Sequence, residues 1–260
     1  MRIAGLDLSI NGTGIVCVEL DNDLNVLSQD YLGFTSVKKL VTDKILFFKK
    51  ENFSDYIEKN LWVLEKIKDF IKDVEYVSIE DYALNAKGRV FDIGEYTGLI
   101  KHVLYAEDKK IRLYDPLSIK LFACGTGNTK IDKTFMQYAY EQKENFKEFM
   151  SSDEMKAVCD ALRIKNETEN EEEKNKRKFF FKEMFGEKSS LEFKSLPDYK
   201  SPKADVIDAY YILKMLQLEL KLRKAKISLS DLPEYIIKVF NRVTKSRPIN
   251  ILATPFLSND

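Results

Sequence analysis

Histidine is almost missing from this sequence: among 260 residues there is one, His102. A single histidine excludes zinc sites built on histidine pairs and leaves any Ser/His/Asp triad resting on one residue. The cysteines, Cys17, Cys124 and Cys159, are odd in number, far apart and without a CxxC. Neither a disulfide framework nor a thiolate metal site is indicated, and a reducing, cytoplasmic compartment fits best. No apolar run reaches the roughly 18 residues of a membrane span, and the N-terminal MRIAGLDLSI lacks the apolar core of a signal peptide. A predominance of one charge is lacking too: 42 Lys and Arg stand against 42 Asp and Glu. Neutrality weighs against a nucleic-acid partner only as an average, because opposed patches cancel in the sum. With nitrogen and sulfur ligands scarce, carboxylates become the natural carriers of chemistry.

A hydrophobic fraction of 44% with 32% charged residues is ordinary for a globular protein. At about 150 residues per domain, the length corresponds to one large domain or two small ones. Residues 2–7 (RIAGLD) and 14–20 (GIVCVEL) are β-branched apolar runs separated by SINGTG, the pattern of a hairpin, and residues 24–32 extend it to a meander. From Phe53 to Ile71 apolar residues recur at three and four, which predicts an amphipathic helix opened near Ser54 and leading into a strand, YVSIE, at 76–80. Helices are predicted at 91–105, after Pro116, at about 130–140, from about Ala204 to Ala225 and at 233–240, with a strand IRLY at 111–114. Antiparallel strands followed by alternating helices and strands describe an α/β chain with a mixed sheet between helices. Residues 141–200 change character: they are dense in Glu and Lys, include NETENEEEKNKRK, and read as a solvated helical or partly disordered insertion.

Four carboxylates stand where this organisation makes them conspicuous. Asp7 closes the first strand, Glu80 closes the strand YVSIE, and Asp205 and Asp208 lie in the first turn of the late helix. Strand ends at one edge of a sheet unite distant positions, and residues three apart on a helix share a face, so all four can converge. Clustered acids repel one another and need a cation; oxygen-only ligation suits Mg²⁺, with Mn²⁺ able to substitute. Two such ions about 4 Å apart would serve in-line displacement at phosphorus, a nuclease chemistry that needs no histidine. Each acid also has a plain reading: Asp205 and Asp208 as N-terminal helix charges, Asp7 and Glu80 as strand-end residues.

The segments GLDLSINGTGIVCVE, VSIEDYALNAKGRVFDIGEYTGLI, YDPLSIKLFACGTGNTK and KADVIDAYYIL resemble, in order and spacing, the four signature segments of RuvC-type Holliday junction resolvases of the RNase H-like superfamily. The resemblance runs from Arg2 to about Tyr140 and resumes from Pro202 to about Leu216. It implies an RNase H-like mixed five-stranded sheet flanked by helices, with a helical insertion and a C-terminal helical extension. The corresponding domains are a nuclease domain over 1–225, interrupted at about 141–200, and a basic extension over 226–260. It implies that Asp7, Glu80, Asp205 and Asp208 are the metal-binding catalytic acids, with two ions per site, of an endonuclease acting as a homodimer on four-way or otherwise branched DNA. The long insertion and the tail beyond about Ala225 depart from the bacterial pattern and look like versions carried by bacteriophages.

Phosphate contacts come from Lys, Arg and backbone amides. CGTGNTKIDK offers Gly125 and Gly127 for close approach and Lys130 and Lys133 on the next helix, with Lys120 before it. In the family, lysines at the positions resembling Lys120 and Lys130 lie near the scissile phosphate, where they would stabilise developing charge. The alternative is a Gly-rich turn with solvated lysines; a Walker-type loop is excluded by the absent GxxxxGK[ST] spacing. After Glu80, Tyr82 with Lys87 and Arg89 could stack an unpaired base and hold its phosphates, or Tyr82 could pack under its loop. The family's best-known aromatic there falls one position later, at Ala83. Residues 209–260 carry a net charge of about +5, either a DNA-contact surface or a solvated helix face. Trp62, His102 and the 91–105 helix read as core or dimer-face residues, and Cys124 as a small buried one.

Two other functions compete. DLSINGTG also resembles the first phosphate segment of actin-like ATPases and sugar kinases, but the second Asp-Gly segment those need is missing, so no nucleotide cofactor is expected. A non-catalytic branched-DNA-binding protein would have no use for four intact acids.

Overall fold

The computed structural model describes residues 1–10, 12–36, 38, 41–81, 90–125, 136, 139, 140, 201–243 and 248–259. The predicted helix at 130–140 and the insertion at 141–200 lie almost wholly outside them.

The strands are β1 (Arg2–Asp7), β2 (Gly14–Leu20), β3 (Val26–Thr35), β4 (Ile45–Phe47), β5 (Tyr76–Glu80) and β6 (Lys110–Tyr114), in one sheet of order β4-β3-β2-β1-β5-β6. β1 pairs antiparallel with β2 and β2 with β3, whereas β1–β5, β5–β6 and β3–β4 are parallel. This is a mixed sheet as expected, with six strands among the described residues instead of five. The extra one, β4, is three residues long and lies beside Gly33–Thr35. β3 also starts later than its apolar pattern suggested. Leu24 is buried but sits in the turn, at φ 62°, where the Asp21 carboxylate accepts the Asp23 and Asn25 amides at 2.8 Å. Those hydrogen bonds hold the Asp21 carboxyl below its ordinary range.

Among the described residues the full helices are α1 (Tyr56–Ile71), α2 (Val90–Ala106), α3 (Pro116–Cys124), α4 (Lys203–Arg223) and α5 (Glu234–Asn241). α1 begins at Asp55, whose carboxylate accepts the Glu58 amide at 2.8 Å, one residue after the expected cap. Its buried face is Lys59, Asn60, Val63, Leu64, Ile67 and Ile71, so Tyr56, Ile57 and Leu61 point outward. α1 and α2 supply Val63, Leu64, Ile67, Tyr96, Ile100 and Leu104 to a core with Ala4, Leu6, Val77 and Ile79 on one face of the sheet. His102 is exposed on α2, and half-buried Trp62 packs edge-on against Phe34 with ring centroids 6.0 Å apart.

α4 covers the opposite face and comes so close that a side chain at Gly5 has no room: a Cβ there would lie 2.5 Å from the Leu213 amide nitrogen and nearer still to the Ala209 carbonyl. Ser78 Oγ on β5 lies 3.1 Å from the Ile212 carbonyl, and Gln217 Nε2 donates to the Leu24 carbonyl at 2.7 Å. The helix is buried along almost its whole length, including Glu219, which is fully buried.

The C-terminal segment closes the β6 edge. Ile111 and Leu257 exchange backbone hydrogen bonds of 2.8 and 2.9 Å. Glu219 accepts from Arg112, Arg223 and the Tyr114 hydroxyl, each at 2.7 Å, and the two guanidinium groups donate onward to the Thr254 carbonyl. Phe256 stacks on both arginines, 4.3 and 5.0 Å from its ring centre. Burial, and then the neighbouring Glu219 carboxylate, push the Tyr114 phenol well above its usual range, which keeps it a donor.

The chain forms two compact units, Met1–Pro116 with Lys200–Asp231 and Val243–Asp260, and Leu117–Tyr199 with Leu232–Arg242. In the second, α3 buries Ile119, Phe122 and Cys124 and α5 buries Tyr235, Ile236, Val239 and Phe240. No helix among the described residues is long and apolar enough to cross a membrane.

Candidate active site

Register and periodicity place the acids. β1 and β5 are parallel neighbours paired as far as Leu6 with Ile79, so Asp7 and Glu80 follow side by side at the same sheet end. Side chains two apart on a strand share a face. Gly5 abuts Ala209 and Leu213 and Ser78 meets Ile212, so Asp7 and Glu80 project on the α4 side. α4 runs back along β1: Leu213 and Ala209 lie over Gly5, and Asp205 lies over Gly14, the residue paired with Asp7. A Cβ at Gly14 would strike the Asp205 carbonyl and the Val206 nitrogen. The first turn of α4 is thereby pressed onto the strand beside Asp7. Asp208 stands one turn before Ile212 on the stripe that faces β5.

Asp7 is 7% exposed and Asp205 2%, whereas Glu80 and Asp208 are half-buried. The Asp205 carboxylate accepts a hydrogen bond from Ser201, and both groups crowd Gly12, where a Cβ would collide with them. A donor set of four carboxylates fits a hard divalent cation. Their side chains do not form a closed cage: no three of His, Cys, Asp and Glu among the described residues are disposed to hold an ion together. Backbone placement thus brings the acids to one sheet end, and ligation by three or more would require rotation of side chains already near it.

The remaining predicted site residues divide into two groups. Lys120 is half-buried on α3, in the second unit. Tyr82, Lys87, Arg89, Lys130 and Lys133 lie outside the described residues. Gly125, read from sequence as a point of close approach, has φ 75° directly after α3, with its amide donating to the Leu121 carbonyl at 2.8 Å. That is the left-handed conformation with which helices end, which glycine adopts without strain. Much of the positive charge after residue 209 has internal partners: Arg223 with Glu219, Lys226 with Asp23, Lys238 with Glu234, and Lys221 with the Asn25 side chain.

Sequence reasoning passed over the residues behind the β1–β2 turn. Lys59 donates to the Ile10 carbonyl, and Tyr96 and Thr13 share a buried hydrogen bond of 3.0 Å. A signal was present: Val63, Ile67 and Ile71 mark the inner stripe of α1, and one turn earlier that stripe carries a lysine.

No family model matches the chain, and no curated protein does. Among solved structures it is similar to Thermus thermophilus RuvC in complex with a Holliday junction substrate, at 14% identity and a TM-score of 0.40, covering 87% of this chain and 97% of that one. A second Thermus thermophilus RuvC structure is 14% identical with a TM-score of 0.38, over 86% and 96% of the two chains.

Proposed function

We propose that this chain is a Mg²⁺-dependent, structure-selective endodeoxyribonuclease that hydrolyses phosphodiesters in four-way or otherwise branched DNA. The observation that carries the reading is the sheet end itself: Asp7 and Glu80 end adjacent parallel strands on the face where α4 starts with Asp205 and Asp208. Four acids at the start of one helix and the ends of two strands have no stabilising purpose in common, since like charges in a partly buried site repel. Asp7 and Glu80 would bind the cations, with Asp205 and Asp208 completing the ligand set. When bound, divalent ions would lower the pKa of water and stabilise charge developing on the phosphodiester. The buried position of Asp7 and Asp205 would exclude bulk water and strengthen their hold on a cation. Lys130 and Lys120 are assigned to the developing phosphate charge, Lys133, Lys87 and Arg89 to flanking phosphates, and Tyr82 to an unpaired base.

Symmetric cutting across a junction calls for a homodimer. Phe91 and Tyr105 are exposed along one side of α2, which supports an apolar contact on that helix. The test is cleavage of four-way, three-way, flap and linear duplex substrates with Mg²⁺ and with chelator. Branched substrates should be cut in Mg²⁺ alone. Equal cutting of linear duplex, or no cutting of any, would overturn the proposal, and ATP hydrolysis without DNA would favour the phosphotransfer reading.

A further inference from the structure

The turn between β1 and β2 is gripped from the face opposite α4. Lys59 of α1 is buried and donates from Nζ to the Ile10 carbonyl at 2.5 Å, with its ammonium 5.0 Å from the centre of the Phe48 ring. The hydroxyl of Tyr96 of α2, more deeply buried, lies 3.0 Å from Thr13 Oγ1. The two hydroxyls share this hydrogen bond, and Thr13 Oγ1 also lies 3.2 Å from the Ser9 carbonyl. Burial pushes the Tyr96 phenol upward, partly offset by the Thr13 bond, and the group stays neutral.

Neither polar end is needed to fill the core. Leucine or methionine at 59 and phenylalanine at 96 would supply comparable carbon without desolvating an ammonium and a hydroxyl. Both polar ends converge on one turn, the one that follows Asp7 directly. Its other side carries Gly12 and Gly14, which meet Asp205 and its carboxylate. The turn is therefore held by α1 and α2 from one face and by α4 from the other.

We infer that Lys59 and Tyr96 are positioning residues that hold the β1–β2 turn at Ile10 and Thr13 and thereby set the distance from Asp7 to Asp205. The inference rests on the nuclease reading of those acids. Groups that orient metal ligands from behind typically change metal affinity or activity about 10- to 100-fold when removed. The test uses the full chain with Tyr96→Phe, Lys59→Met and the charge-conserving Lys59→Arg. Mn²⁺ affinity is measured by calorimetry without DNA, junction binding is measured in Ca²⁺, and amide exchange is followed in the turn. Tyr96→Phe and Lys59→Met should each weaken Mn²⁺ binding about tenfold and speed exchange across residues 9–13, with junction affinity within about twofold of the parent and partial recovery in Lys59→Arg. Tyr96→Phe removes a single oxygen and carries the test if Lys59→Met does not fold. Folded variants that bind Mn²⁺ as tightly as the parent would overturn this inference and leave the nuclease reading intact. A parent chain that binds no Mn²⁺ would overturn both.

Discussion

Replacing Gly5 by alanine adds one methyl group at the closest approach of α4 to the sheet. The added Cβ would lie 2.5 Å from the Leu213 nitrogen and 2.7 Å from Leu213 Cβ, with the Ala209 carbonyl closer still. Carbon contacts settle near about 3.5 Å, so the helix must withdraw by close to 1 Å. Two of the obstructing atoms are backbone and the third is a Cβ, so no rotamer change relieves the clash. Withdrawal loosens the buried Ile212, Leu213 and Leu216 and lengthens the contact of Ser78 with Ile212. Overpacking of this kind costs about 1–3 kcal/mol, and the absence of a flexible neighbour puts Gly5→Ala at about 3 kcal/mol or above. Gly33→Ala is the control. Its Cβ would meet the end of the Ile45 side chain at 2.6 Å, which can turn away. Alanine is also better than glycine inside a strand, by roughly 0.5–1 kcal/mol, so Gly33→Ala should be near neutral. Urea unfolding should show a lower midpoint for Gly5→Ala at unchanged slope and little movement for Gly33→Ala. Equal effects for the two, or Gly5→Ala within about 1 kcal/mol of the parent, would refute the close packing of α4 on β1.

Other perturbations test other parts of the structure. Glu219→Gln leaves the Arg112 and Arg223 guanidinium groups beside a neutral amide in a buried site, and thermal unfolding should register a loss of about 3–5 kcal/mol. Removing residues 250–260 uncovers the β6 edge and takes away the carbonyl partners of Arg112 and Arg223; light scattering should report larger assemblies than the intact chain forms. Burial raises the Cys17 thiol to about 12, so its thiolate is absent until far above neutral pH. With Cys124 and Cys159 replaced by serine, Cys17 should stay unmodified by thiol reagents at pH 8 in the native state and react once the protein is unfolded; rapid native labelling would contradict its burial.

The sequence was most legible where hydrophobic pattern and turn residues agreed. β1, β2 and β5 are short β-branched runs bounded by Asn, Gly or Asp, and they begin and end as expected. β4 was missed because three residues, Ile45–Phe47, are too few to show alternation. β3 was misplaced because its first half is exposed on both faces, so the period-two signal fades where the strand begins. On α1 the period was right but the stripe was rotated, since Lys59 and Asn60 occupy inner positions that hydrophobicity alone awards to Tyr56, Ile57 and Leu61. At the site, strand ends and helix spacing were enough to group Asp7, Glu80, Asp205 and Asp208. The Ser201 hydrogen bond to Asp205 and the clamp on the β1–β2 turn depend on tertiary placement, which no local pattern encodes.

The central claim is that the acids at this sheet end perform metal-dependent cleavage of branched DNA, and Asp7→Asn probes it most directly. The substitution keeps the shape of a residue that is 7% exposed, so the fold and junction binding should persist. With a four-way junction and Mg²⁺, the parent should cut and Asp7→Asn should bind without cutting. Undiminished cutting by Asp7→Asn would contradict the account.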